Sequence, residues 1–134
     1  EFFGHWRMVV IYFISAFFGN LTSAVFMPST VSAGASTAIF GLFGAFLMLG
    51  VCFHHNVIVC VLSRTFLLFV IINIVMDFFL SGVDLVGHIG GLFGGFFIAF
   101  IVGAPMLGTV DYLKRLLSGA VLTVSLVILT LELK

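Results

Sequence analysis

Charged residues are scarce in this chain. Asp, Glu, Lys and Arg make up 7% of its 134 residues, and hydrophobic residues make up 63%. A water-soluble domain typically carries about 25% charged residues, so this composition excludes that class and indicates a protein solvated by lipid. The formal net charge is zero. No basic excess therefore points to a nucleic acid partner.

The apolar residues do not follow the alternating pattern of a membrane β-barrel. Phe, Ile, Val and Leu fill long runs, whereas barrel strands alternate lipid-facing and lumen-facing residues. Five runs can be marked, at residues 8–27, 33–53, 65–80, 85–104 and 116–131. Each approaches the ~20 residues that cross a bilayer core, the third and fifth being short. We predict an all-α fold, a polytopic transmembrane bundle of about five helices, with short loops that make consecutive helices antiparallel.

The cationic residues orient this bundle. Four of the five lie before the first run or in the second and fourth breaks, and they are Arg7, Arg64, Lys114 and Arg115. The first and third breaks contain no Lys or Arg. The positive-inside rule places the four cations at the cytoplasmic face. The second and fourth helices are then both expected to enter the membrane from the outer face.

Ser36 and His88 lie at matched depth in those two helices. Each is about three residues into its run, which is roughly 5 Å below the helix start at ~1.5 Å per residue. Ionisable groups at membrane depth are functional candidates, and a hydroxyl beside an imidazole is the minimum equipment for a serine nucleophile and its base. Glycines at 87, 91 and 95 would let the two helices approach closely, or would serve general helix packing.

Each polar residue also has a structural interpretation. A membrane Ser usually bonds a carbonyl of its own helix, and a lone His suits packing or a pore. Asp77 and Asp84 could each orient an imidazole, but helix–helix hydrogen bonding also explains Asp77, and capping of the fourth helix explains Asp84. The other three histidines lie near cytoplasmic ends, and a metal site needs three or four converging ligands. We therefore expect neither a metal nor another cofactor.

Two motifs surround Ser36 and His88. Ser36 lies in Gly-Ala-Ser-Thr-Ala at 34–38, and His88 lies in Gly-Val-Asp-Leu-Val-Gly-His-Ile-Gly-Gly-Leu at 82–92. With these motifs two helices apart, residues 5–103 resemble the rhomboid intramembrane serine proteases. The resemblance implies that residues 1–104 form a partial rhomboid-like membrane core without the first two family helices. Residues 105–134 would add a cytoplasmic loop and an extra C-terminal transmembrane helix.

The resemblance also implies a function. Ser36 would be the nucleophile and His88 the general base of a Ser–His dyad that cleaves transmembrane segments of membrane proteins. The backbone N–H groups of Ala35 and Ser36 would form part of the oxyanion hole. The expected location is the cell membrane, as a multi-pass protein whose partners are the lipid bilayer and transmembrane protein substrates.

The sequence departs from the family pattern at two points. Thr37 stands where the family usually has Gly, and the family's His-x-x-x-Asn oxyanion donors are absent, because Ile58 and Val59 follow His54 and His55 at that spacing. We therefore expect this chain alone to be a poor protease or inactive. The alternative is a catalytically inactive rhomboid-like protein that binds or escorts membrane clients. A transporter or channel segment is a third hypothesis, disfavoured because transporters usually bind their substrates and ions near the bilayer midplane.

Overall fold

The computed structural model describes residues 2–29 and 35–134, and within them it contains five α-helices and no β-strand. The helices are α1 (His5–Phe26), α2 (Ser36–Cys52), α3 (Val57–Phe79), α4 (Leu85–Val102) and α5 (Tyr112–Glu132). Among the described residues, all but α2 are long and apolar enough to cross a membrane, and α2 has 17 residues. The predicted all-α membrane bundle is confirmed. Gly34 of the Ser36 motif, and residues 30–33, lie outside the described residues.

The third helix is longer than the sequence pattern predicts. We expected it at 65–80, but it begins at Val57 and has 23 residues. Asn56 caps its N-terminus, since the side-chain oxygen of Asn56 accepts a hydrogen bond from the Ile58 N–H at 3.0 Å. Arg64 therefore lies inside α3 rather than in a loop, which corrects our assignment of the second break.

The helix α4 lies at the centre of the bundle, packed mainly against α2 and α1 and less extensively against α5. The glycines that we expected at the helix contact, Gly87, Gly91 and Gly95, are buried, and so are His88 and Ala99 of the same helix. Glycine is needed at this contact because α2 approaches the α4 backbone directly. A side chain at Gly91 would overlap the Thr37 carbonyl, and one at Gly95 would overlap the Gly41 carbonyl.

The contacts between α2 and α4 fix their relative direction. In order along α2, Thr37 lies against Gly91, Gly41 against Gly91 and Gly95, and Gly44 against Leu92 and Phe96. Residue numbers rise together, so the two helices are parallel and their N-termini lie at one end of the bundle, which we call the outer end. This register places Ser36 level with the first two turns of α4, which include His88.

Two arginines hold the opposite end of α4. The Arg7 Nε donates to the Val102 carbonyl at 2.9 Å, and the Arg115 Nη2 donates to the Ile101 carbonyl at 2.7 Å. The last carbonyls of a helix lack intrahelical donors and carry partial negative charge, which a guanidinium satisfies. Arg115 can do this because α5 begins at Tyr112, four residues before the predicted run. Both flanking helices are thereby tied to α4.

Candidate active site

His88 lies in the first turn of α4 and is 5% exposed. Asp84 fixes this turn from the position before the helix. Its side-chain oxygen accepts a hydrogen bond from the Gly87 N–H at 2.8 Å, and its carbonyl accepts one from the His88 N–H at 3.0 Å. The predicted capping role of Asp84 is confirmed. The backbone that carries the imidazole is therefore held by a satisfied helix N-terminus.

Asp77 reaches the His88 ring from the outer end of α3. Its Oδ2 lies 2.5 Å from the His88 Nδ1, and the two side chains are only 10% and 7% exposed. Of the two carboxylates that the sequence offered as partners of the imidazole, Asp77 is the one bonded to the ring. When Nδ1 carries the proton it donates to Asp77, and the Nε2 lone pair is then left free to accept a proton.

Phe40 covers one face of the imidazole. The two rings are stacked, with centroids 4.3 Å apart and planes 7° from parallel, and Phe40 is 5% exposed. Our sequence analysis did not identify Phe40. The signal was its position four residues after Ser36, because residues at that spacing share one face of a helix. Contact with Phe40 and the hydrogen bond to Asp77 together restrict both the tilt and the rotation of the His88 ring.

Ser36 is the first residue of α2 and its side chain is exposed at the outer end. It lies one turn before Phe40 on the same face, a spacing that separates Cβ atoms by about 5–6 Å. Among the residues described, no hydrogen bond joins the Ser36 hydroxyl to the His88 ring. The structure thus brings Phe40 and Asp77 into contact with the His88 ring, and Ser36 lies one helical turn before Phe40 on α2.

The N-terminus of α2 presents backbone donors beside Ser36. Ala35 precedes the helix with φ −80° and ψ 0°, and the first hydrogen bond of the helix runs from the Ile39 N–H to the Ala35 carbonyl at 3.0 Å. The N–H groups of Ala35 and Ser36 are among the four that have no intrahelical acceptor. The partial positive charge of the helix N-terminus favours a negative group at this position.

Thr37 points away from this end of the site. Its side chain is 1% exposed and faces α1, where a Cβ on Gly19 would come within 2.9 Å of the Thr37 Cβ. Gly19 therefore provides the space that a β-branched residue requires. The Thr37 hydroxyl is buried and, in the part of the chain described, has no hydrogen-bond partner.

Other histidines do not assemble a metal site with these residues. His54 and His55 follow α2, with ring centroids 3.9 Å apart. In residues 2–29 and 35–134, no group of three His, Cys, Asp or Glu side chains is placed to hold a metal ion. Two neighbouring imidazoles fall short of the three or four ligands of a zinc site.

The family model and the relatives that match this chain all carry rhomboid names. A family model described as Rhomboid domain matches residues 1–105. Rhomboid protease GluP of Bacillus subtilis (strain 168) is 40% identical over 120 residues, which cover 90% of this chain and 23% of that protein. Putative rhomboid protease YdcA of the same strain is 34% identical over 99 residues, covering 73% of this chain and 49% of that protein. RHOMBOID-like protein 4 of Arabidopsis thaliana is 38% identical over 103 residues, which cover 75% of this chain and 25% of that protein.

The chain therefore spans between about a quarter and a half of the length of these relatives. No solved structure gives a significant match. The family model covers more than three quarters of the chain and includes α1 to α4. With four helices long and apolar enough to span a bilayer, this chain belongs to the rhomboid family of multi-pass membrane proteins, among whose members are named proteases.

Proposed function

We propose that the complete protein is a serine endopeptidase of the cell membrane that cleaves transmembrane segments, with Ser36 as nucleophile and His88 as general base. One observation supports this proposal most strongly. The His88 ring stacks on Phe40 and is hydrogen-bonded to Asp77, and Ser36 is exposed one helical turn before Phe40, at the end of the bundle where α2 and α4 both begin. A buried imidazole with one nitrogen bonded and the other free is the form that a general base requires.

The proposed reaction has two stages, acylation of Ser36 and hydrolysis of the acyl-enzyme. The Nε2 of His88 takes the hydroxyl proton as the Ser36 oxygen attacks the scissile carbonyl, and a tetrahedral oxyanion forms. His88 then gives the proton to the departing amine as the C–N bond breaks, which leaves an acyl-enzyme on Ser36. In deacylation, His88 accepts a proton from water as the water oxygen attacks the acyl carbonyl. The ester bond to Ser36 then breaks, the product leaves as a carboxylic acid, and His88 returns the proton to the Ser36 oxygen.

Because Ser36 is exposed, both the substrate and water have access to its side chain. The side chain lies at the end of α2 rather than in its interior, so a peptide bond and a water molecule can both reach it without crossing the packed core. The N–H groups of Ala35 and Ser36 would stabilise the oxyanion. Loss of one oxyanion donor typically costs about 10²–10³ in rate, and this chain alone, in which His-x-x-x-Asn does not occur, would be correspondingly slow.

The proposal divides the chain in two. Residues 1–104 would be part of the catalytic core, and 105–134 would add a cytoplasmic loop and the extra helix α5. The end of the family match at residue 105 supports this boundary. On this division, the hydrogen bond from Arg115 to the Ile101 carbonyl would attach the added segment to the core.

The experiment uses the complete protein in proteoliposomes with a fluorescently tagged transmembrane segment as substrate. Ser36→Ala and His88→Gln should each abolish cleavage. Ser81→Ala is the matched control, because Ser81 is also an exposed serine at the outer end, and this variant should cleave at the wild-type rate. Cleavage that continues in Ser36→Ala would contradict the proposal. Substrate binding without any cleavage by the wild-type protein would favour the inactive escort protein instead.

A further inference from the structure

Asp77 occupies a position where an acidic residue needs a specific partner. It lies two residues before the end of α3, next to Phe78 and Phe79, which are 75% and 77% exposed. Helix α3 contributes only Val59 and Val70 to the buried core among the residues described. A carboxylate on such an apolar, weakly buried helix is costly in lipid unless it is paired. The Asp77 side chain is nevertheless 10% exposed, because it turns inward to His88.

The contact has the geometry of an orienting hydrogen bond. Asp77 Oδ2 and His88 Nδ1 are 2.5 Å apart, which is hydrogen-bonding distance. Phe40 stacks on the ring and offers no polar atom. Asp84, the other carboxylate near the start of α4, accepts its bond from the Gly87 N–H. Asp77 is therefore the side chain that is placed to select the tautomer of His88.

We propose that Asp77 is a positioning residue for His88, so that the chain carries a Ser–His–Asp arrangement rather than a Ser–His pair alone. This inference rests on the proposed function. Asp77 accepts the Nδ1 proton and thereby keeps it off Nε2, the nitrogen that must receive the Ser36 proton. When His88 becomes an imidazolium during the reaction, the adjacent carboxylate stabilises the positive charge, and no proton need move to Asp77.

A purely structural role makes different predictions. If Asp77 only ties α3 to α4, its removal would lower the fraction of folded protein but leave the turnover of the remaining folded enzyme unchanged. A positioning role lowers kcat itself. It also changes which nitrogen of His88 is protonated, and this can be observed without any reaction.

The kinetic test compares Asp77→Asn with Asn73→Ala in the complete protein, with rates normalised to sites titrated with a fluorophosphonate. Asn73 is the matched control, because it lies one turn earlier on α3 and bonds the Phe69 carbonyl of its own helix. Asp77→Asn should lower kcat by at least about 100-fold with KM nearly unchanged, because a neutral amide does not stabilise the imidazolium and can donate its own N–H to Nδ1, which shifts the ring proton to Nε2. Asn73→Ala should keep the wild-type kcat, and Asp77→Glu should recover part of the loss.

The spectroscopic test uses ¹⁵N-histidine labelling of the complete wild-type protein, with the His88 signals identified by their loss in His88→Gln. The neutral ring should carry its proton on Nδ1, and in Asp77→Asn the proton should move to Nε2. A wild-type His88 protonated on Nε2 would overturn the inference, even if Asp77→Asn fails to fold. Wild-type kcat in Asp77→Asn would also overturn it while leaving the proposed function intact. Cleavage that survives Ser36→Ala would instead refute the proposed function.

Discussion

The imidazole of His88 lies flat against the phenyl ring of Phe40, with centroids 4.3 Å apart. This contact joins the two helices that carry the proposed nucleophile and base, because Phe40 and Ser36 share one face of α2. The ring of the base is thus positioned by the same helix that presents the nucleophile. The geometry depends on close backbone packing between α2 and α4, on the stacked ring and on the anchored ends of α4, and each can be tested separately.

Replacing the stacked ring should impair turnover. Phe40→Leu removes an aromatic contact worth about 0.5–1.5 kcal/mol and frees the His88 ring to tilt, so we expect a lower kcat as well as a lower unfolding temperature. The comparison variant is Phe46→Leu, since Phe46 stacks on Phe66 with centroids 4.3 Å apart rather than on His88. Equal cleavage rates in the two variants, measured per folded molecule, would show that the stacking does not support catalysis.

The packing of α2 on α4 should not tolerate a single methyl group. Gly95→Ala would push a Cβ into the Gly41 backbone, and we expect it to destabilise the fold by about 1–3 kcal/mol or more, as overpacking does. Gly119→Ala is the matched control, because the nearest atom to its added Cβ is the Ile101 Cδ1 at 3.9 Å. That change should be neutral or stabilising by up to about 1 kcal/mol, since Ala favours the helix.

Thermal unfolding in detergent, followed by circular dichroism, measures both glycine variants under the same conditions. We expect Gly119→Ala to unfold at or above the temperature at which wild type unfolds. Gly95→Ala should unfold at a much lower temperature. An unfolding temperature for Gly95→Ala equal to that of wild type would mean that α2 and α4 are further apart than the structure shows.

The buried hydroxyl of Thr37 should reduce stability. It has no hydrogen-bond partner in the described part of the chain, and an unsatisfied buried polar group costs about 1–3 kcal/mol. Thr37→Val keeps the shape that fits against Gly19 and removes this hydroxyl, so it should raise the unfolding temperature. Thr37→Ser, which keeps the hydroxyl and loses the methyl group, should lower it. A Thr37→Val variant less stable than wild type would reveal that the hydroxyl has a partner in the complete protein.

The attachment of α5 to α4 should depend on Arg115 and not on the neighbouring Lys114. Arg115 donates to the Ile101 carbonyl at the end of α4, and we expect Arg115→Gln to lower stability by about 0.5–1 kcal/mol, as for other helix C-terminal cations. Lys114→Gln removes the same charge one residue earlier and should have a smaller effect. Limited proteolysis of the segment at 103–111 would report the loosening, and equal cleavage of both variants would contradict the role of Arg115.

The sequence predicted helix boundaries best where a capping residue directly precedes an apolar run. The start of α4 at Leu85 was predicted correctly because Asp84 precedes a long apolar run. The start of α3 was missed by eight residues, because Arg64 was taken as a loop residue and the capping potential of Asn56 was overlooked. A cation in a membrane helix near the cytoplasmic end can extend its charged group towards water, so Arg64 does not end the helix.

The candidate site was only partly predictable. Charge distribution and hydropathy placed Ser36 and His88 at one end of parallel helices, and the observed register agrees with that placement. The partners of the imidazole could not be assigned, because helical periodicity does not say which face of α3 turns towards α4. Asp77 therefore remained one of two carboxylate candidates, and Phe40 was not identified as the stacking partner.

The most direct test of the account is covalent labelling of the complete protein with a fluorophosphonate, followed by mass spectrometry of the modified peptide. We predict a single modified serine among those of this chain, Ser36, with labelling lost in Ser36→Ala and His88→Gln and retained in Ser81→Ala. Labelling that persists in both Ser36→Ala and His88→Gln, or an unlabelled Ser36 in a protein that cleaves its substrate, would contradict it.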